Sequence, residues 1–181
     1  MKIDALILAL DRIVLDIESG IDEAATIAGG DLAALVENRV VQTGKSADGQ
    51  PFSPYSTTPV PAFFYFNKSR NAAGENRARS AAKAGLPLSY RDFRGANGLG
   101  TDEKNFEFTG EMWQGFGVVS LRKTANGASV TIGGKTPTSA QRIEWNSGRE
   151  KKNIVAPSEQ ELAVVRANLV LWANKIVNKN L

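Results

Sequence analysis

The C-terminal stretch of this chain restricts the possible folds more than any other. Ser158-Glu159-Gln160-Glu161 reads as a capping box, in which the Ser oxygen and the Glu three residues on satisfy each other's free backbone amides. Leu162, Val165, Leu169, Trp172 and Ile176 follow in alternating steps of three and four, one apolar seam on a helix. From Ser158 to Lys179 such a helix runs roughly 30 Å, at about 1.5 Å per residue. Alone it would be marginal, because ordering costs on the order of 1–2 kcal/mol per residue. Burying its large seam residues returns about 1.5–3 kcal/mol each, so the helix needs a surface to pack on. The strand-forming residues 106–133 are the expected surface, and so short a heptad seam fits a core-facing helix better than a coiled coil.

A second helical pattern opens the chain. Ile3, Leu6, Ile7, Leu10, Ile13, Val14 and Ile17 fall at helical spacing, with Asp4, Asp11, Arg12, Asp16 and Glu18 over much of the other side. Together with Met1-Lys2 the stretch superficially resembles a signal peptide. Asp4 and Asp11 interrupt it, however, and no small-residue cleavage site follows a clean apolar core, so it reads as a helix. Gly20 is a plausible stop or kink, and Gly29-Gly30 a clearer break. Asp31 suits the N-cap of another helix through Leu32, Leu35, Val36 and Val40, ending near Thr43-Gly44. The pattern leaves open whether residues 21–28 continue the first helix.

Residues 44–105 show little periodicity. Pro51, Pro54, Pro59 and Pro61, with Gly44 and Gly49, give an extended, turn-rich chain short of backbone donors. Phe63-Phe64-Tyr65-Phe66 reads either as a short strand or loop anchor, or as a base-stacking platform beside basic residues. Glu75 to Ala84 suits a short helix stopped at Gly85, and residues 92–103 read as loop. So long an irregular connection is unusual in a compact enzyme, whereas subunits of rings and filaments carry arms that order on neighbours.

The next segment returns to regular patterns. Thr109-Gly110 marks a turn between an extended run and the apolar Met112-Trp113. Strand-like residues 117–121 and 128–132 follow, closed by Gly133-Gly134, and residues 137–147 read as a short helix. The fold class is therefore α+β: a small antiparallel sheet with N-terminal helices over 3–43, an irregular insertion 44–105 and a C-terminal helix 158–179, in one domain 1–181.

Composition narrows the chemistry. At 42% hydrophobic and 23% charged, the chain has ordinary globular composition, and no run of about 18 apolar residues suggests a membrane span. It has neither Cys nor His, which removes disulfides, thiolate nucleophiles, Cys/His zinc sites and the usual general base near neutral pH. Asp102-Glu103 and Glu107/Glu111 lack a positioned partner of another type and read as solvated charge. Gly115-Phe116-Gly117 and Gly133-Gly134 make neither a Walker loop nor a dinucleotide fingerprint. The chain is expected to be neither an enzyme nor a cofactor carrier.

The charge is uneven. Between Asn67 and Arg94, Lys68, Arg70, Arg77, Arg79, Lys83, Arg91 and Arg94 stand against Glu75 and Asp92 alone, in a chain of net charge +3. Such a cluster suits phosphates or an acidic protein partner, and equally a solvated flexible loop. Trp113, Phe116 and Trp145 belong either to the core or to a contact between subunits, where Trp is a common anchor. Arg149 is either a surface residue or a bidentate partner for a neighbour's carboxylate.

The order of these segments is similar to that of the phage virion-morphogenesis, or head–tail joining, family of neck and tail-completion proteins. Members of that family carry a "TG-x-hydrophobic" turn, a hairpin, a "hydrophobic-x-x-G-R" segment and a C-terminal helix. Thr109-Gly110-Glu111-Met112, the strands after it, Trp145-Asn146-Ser147-Gly148-Arg149 and the terminal helix follow that order here. Asp48-Gly49-Gln50-Pro51-Phe52-Ser53-Pro54-Tyr55-Ser56-Thr57 looks like the family's "G-x-P-W-x-P-L-S-x-x-T" segment. The chain departs from the pattern in its long insertion between Tyr55 and Phe106, and in Met112 where Leu is common. The resemblance spans roughly residues 31–180. It implies a structural virion protein, made in the host cytoplasm, that forms a six- or twelvefold ring around a DNA channel. A portal or head-completion protein would lie above the ring and a tail protein below it. Contact with DNA in that channel is expected to run through phosphates and so to be non-specific, and the residues themselves point to no membrane partner and no cofactor. A tail terminator, or a nucleic-acid-binding module using residues 67–94, are the alternative readings.

Overall fold

The computed structural model describes residues 3–125 and 127–181, apart from the side chains of residues 4–6. The expected roles of Met1-Lys2 and of the Asp4 and Leu6 side chains lie outside that set. One helix, α1 (Ile3–Thr43), runs unbroken for 41 residues, about 60 Å. The expected break at Gly29-Gly30 is absent, and so is a stop at Gly20. A glycine costs a helix only about 1 kcal/mol, and close packing on two of these three offsets it. A Cβ on Gly29 would fall 2.4 Å from Val130 Cγ1, and one on Gly20 would fall 3.0 Å from the Trp172 ring. These glycines therefore mark where other elements press on the helix.

A hairpin lies on one side of α1. Strands β3 (Phe116–Thr124) and β4 (Gly127–Gly134) pair antiparallel from Phe116 opposite Gly134 to Thr124 opposite Gly127. Val119 sits in a bulge, between the Val118–Ile132 and Ser120–Thr131 pairs. The C-terminal helix α6 (Glu159–Asn180) carries the expected capping box between Ser158 and Glu161. It packs along α1, and not on the strands as the seam suggested. Two polar ties fix it antiparallel. Arg39 Nε holds Glu161 Oε1 at 2.8 Å at one end, and Asn180 Nδ2 and Lys179 Nζ reach Asp16 Oδ2 at 3.1 and 3.2 Å at the other. Leu169 is left 36% exposed by this arrangement.

Residues 44–105 are more regular than the sequence suggests. Strand β1 (Pro59–Pro61) leads into a 3-10 turn (Ala62–Tyr65), followed by α2 (Ala72–Lys83) and β2 (Pro87–Ser89). The two strands pair antiparallel, Val60 opposite Leu88. Helix α3 (Tyr90–Ala96) occupies part of the expected loop, capped by Ser89, whose oxygen accepts the Asp92 amide. Helix α2 is capped by Asn71, whose side-chain Oδ1 accepts the Gly74 amide at 2.8 Å. Tyr65, Ala78, Ala81, Leu88 and Phe93 close a core of their own, with Tyr65 and Phe93 stacked at 4.4 Å.

The other core joins α1 to the rest of the chain. Ala33, Val36 and Val40 meet Phe52, Met112, Trp113, Phe116 and Ile154. Gly110, in the left-handed conformation at φ 79°, turns the chain into a short helix, α4 (Glu111–Gln114), as the Thr-Gly pair predicts. Helix α5 (Pro137–Glu150) starts at Thr136 with Pro in its first turn and packs on α4. Its Ser139 hydroxyl donates to the Met112 carbonyl at 2.7 Å.

Candidate interaction surfaces

The seven cations of residues 67–94 divide three ways. Lys68, Arg70, Arg77 and Lys83 are exposed and have no ion-pair partner among the described residues. Arg79 is exposed but pairs with Glu75 at 2.7 Å, and Arg91 pairs with Asp102 at 3.3 Å. Arg94 is buried, only 1% exposed, so it is not the surface cation its place in the cluster suggested. On α2 the buried Ala78 lies between Arg77 and Arg79, and at about 100° per residue these two flank opposite sides of the buried face. Beside this basic flank, Phe63 and Phe64 stand exposed and stacked on one another at 4.8 Å.

The proposed interface residues also separate. Trp113 and Phe116 are core residues and are corrected as interface candidates. Their rings meet edge to face at 5.6 Å, and the Trp113 indole donates to the Asn105 carbonyl at 3.1 Å. Trp113 of α4 and Phe116 of β3 are buried in the cluster they share with Ala33, Val36 and Val40 of α1. Trp145, by contrast, is 61% exposed on α5, and Arg149 one turn on is exposed as well.

Most of the exposed large apolar residues are on α1 and α6. Ile3, Ile7, Leu10 and Val14 continue a four-three-four seam along α1, and all four are exposed. Leu8 and Leu15 are exposed on a second stripe seven residues apart. Asp16 faces the last turn of α6, and of residues 7–12 before it Ala9 alone is buried. Val164, Val170 and Leu171 are exposed on α6 itself. No described helix is long and apolar enough to cross a membrane.

A cleft with a polar floor lies where α3, the Thr109-Gly110 turn and α5 converge, with a volume near 260 Å³. Its floor is a hydrogen-bonded network centred on Arg94 and Asn105. Arg94 donates to the carbonyls of Gly100 and Glu107 and to Asn105 Oδ1, and its guanidinium stacks 4.0 Å above the Tyr55 ring. Asn105 Oδ1 also accepts from the Tyr55 hydroxyl and the Glu107 amide. Burial pushes the Tyr55 phenol above its ordinary pKa, against the opposing field of Arg94. Lys104 reaches Glu150 Oε1 at 2.6 Å, and Glu150 also accepts the Ser53 amide and hydroxyl at 2.9 and 2.8 Å. Burial alone would raise the Glu150 pKa, but the bonds from Lys104 and Ser53 outweigh it and hold it below the usual value. Only the alternation of Tyr, Phe and Asn over residues 90–108 hints at this hub, and that pattern is too common to single it out.

Among the described residues no group of acidic side chains is placed to hold a metal ion. Compared with known proteins, the chain matches no family model, no curated protein and no solved structure.

Proposed function

We propose that this chain is a structural subunit of a tailed bacteriophage virion, a neck or tail-completion protein that forms a ring around the DNA channel. The observation that carries this reading is the unburied apolar arm of α1 and α6. Surface of that kind marks a protein–protein contact, and a contact between different patches of identical subunits closes into a ring when its rotation permits. The order of the Thr-Gly turn, hairpin, Gly148-Arg149 segment and terminal helix supports the same reading. In such a ring Lys68, Arg70, Arg77 and Lys83 repeat around the axis and form a positive belt. A belt facing the channel touches DNA through phosphates alone, because passage of a whole genome forbids sequence-specific grip. Portal or head-completion and tail proteins are the neighbours this assembly implies, and a tail terminator is its close variant.

DNA binding tests the channel role. Four phosphate contacts per subunit give a salt slope near −3.6, so affinity should fall roughly a hundredfold between about 50 and 200 mM salt. It should be indifferent to sequence and vanish when Lys68, Arg70, Arg77 and Lys83 are all replaced by Gln. Unchanged binding by that variant would reject the channel role. The stacked Phe63–Phe64 pair favours a second reading, a single-strand-binding module. That reading requires a monomer that prefers single-stranded over duplex DNA and loses the preference in Phe63→Ala.

A further inference from the structure

The Arg94 cleft is charged in a way its own chain does not complete. Arg94, Lys104, Arg142 and Arg149 line it, and the carboxylates that reach these cations are Glu150 on Lys104 and Glu111 on Arg142. Arg94 and Arg149 have no carboxylate partner among the described residues. For Arg94 this matters because it is buried. A guanidinium has five N–H donors, and its bonds to Gly100, Glu107 and Asn105 use three of them, all on neutral acceptors. A cation taken out of water without an anion is costly, and an anion entering the cleft would offset that cost.

The walls say more about the ligand. Tyr90, Phe108 and Thr109 line both this cleft and an adjoining, mainly apolar groove, whose other walls are Val60, Phe64, Tyr65 and Phe93, with Asn67, Lys68 and Ser69 at one side. No hydrogen bond to another described residue uses the Tyr90 hydroxyl, and the Arg142 guanidinium is held at the mouth by Thr109 Oγ1 at 2.8 Å. An anion-binding base beside an apolar trough fits a charged group on a short stem with an apolar neighbour.

We propose that the cleft is a receptor for an acidic side chain, carried on a segment of a partner protein that places an apolar side chain next to it. Arg94 supplies the field at the floor, Arg149 and Arg142 fork onto the carboxylate, and the groove beyond Tyr90 and Phe108 takes the apolar residue. A duplex phosphate is the poorer fit, since it lies on a broad convex rod and Arg94 lies below the surface. This assignment concerns the cleft alone and holds whether or not the subunit forms a ring.

Titrating the full chain with N-acetyl-Glu-Phe-amide, while following backbone and arginine Nε resonances, tests it. The peptide should shift Arg142, Arg149, Phe108 and Thr109 at concentrations on the order of 10 mM, which saturate a millimolar site. The Gln-Phe counterpart should bind about tenfold more weakly, as should Arg149→Gln with the Glu peptide, while Lys83→Gln should bind as wild type. Arg149 is exposed, so its replacement leaves the fold intact. No shift, equal binding of the Gln peptide, equal binding of inorganic phosphate, or displacement of the peptide by duplex DNA would each overturn the assignment.

Discussion

Gly29 of α1 lies so close beneath Val130 of β4 that a Cβ on the glycine would overlap Val130 Cγ1, and Val118 Cγ2 is 2.9 Å away. The adjacent Gly30 has nothing within 4 Å of the same position. The two glycines therefore predict opposite outcomes. Gly30→Ala should stabilise by about 0.5–1 kcal/mol, the helix-propensity difference alone. Gly29→Ala gains the same propensity but must push the hairpin away, for a net loss of about 1–2 kcal/mol. Urea midpoints compare them directly, and a rise in both would mean the hairpin does not rest on Gly29.

Helix α6 makes a second ordering. Trp172 fills the space left open by Gly20, whereas Leu169 is partly exposed. Trp172→Ala should cost about 2–3 kcal/mol and Leu169→Ala about 1 kcal/mol. A reversed order in thermal or chemical denaturation would place α6 on the strands after all.

Glu150 ties three segments together through Ser53, Lys104 and its own helix α5. Its side chain is nearly buried, so Glu150→Ala leaves the Ser53 amide without its partner and Lys104 without a carboxylate, holding the Ser53 hydroxyl alone. The expected loss is on the order of 3 kcal/mol, read from the denaturation midpoint. A loss below about 1 kcal/mol would mean the pair is solvated.

Acid stability should depend on Asp48. Its carboxylate accepts the Ser46 hydroxyl and the Gln50 amide and faces Lys152, which together lower its pKa to about 2. A depressed carboxylate pKa contributes stability above the unfolded value near 3.8, lost as pH falls toward about 2. Glu37 acts with the opposite sign. Burial, and then the charge of Glu107, raise its pKa, so acidification relieves a cost there. The difference between wild type and Asp48→Asn isolates the first effect: their stabilities should converge between pH 4 and 2, and parallel curves would contradict it.

Much of the fold was legible where one physical rule dominated. The capping box at Ser158–Glu161, the strands facing one another across Ser120–Thr131 and the Thr109-Gly110 turn each follow from local chemistry. What failed depended on tertiary contact. Gly29 reads as a helix break until Val130 is placed against it, and the α6 seam does not say which surface it meets. The helix expected over Glu75 to Ala84 is α2, but that residues 59–96 close a core of their own was not legible, because that core is made of alanines and spaced aromatics without a long period. For the candidate surfaces, the sequence located the exposed Lys68, Arg70, Arg77 and Lys83, and Trp145 and Arg149 on α5. It grouped Arg94 with them because charge alone does not reveal that three carbonyl oxygens and the Tyr55 ring enclose it.

The central claim is that the exposed apolar arm is the surface through which copies of this chain assemble. Sedimentation mass across a wide concentration range tests it most directly, with wild type beside a variant carrying Leu8→Glu, Leu15→Glu and Leu171→Glu. These side chains are exposed in the single chain, so the variant should fold. Wild type should reach one discrete mass, six or twelve times the 19.4 kDa chain, and the variant should stay monomeric. A wild type that remains monomeric at every concentration, or a variant that assembles equally well, would contradict it.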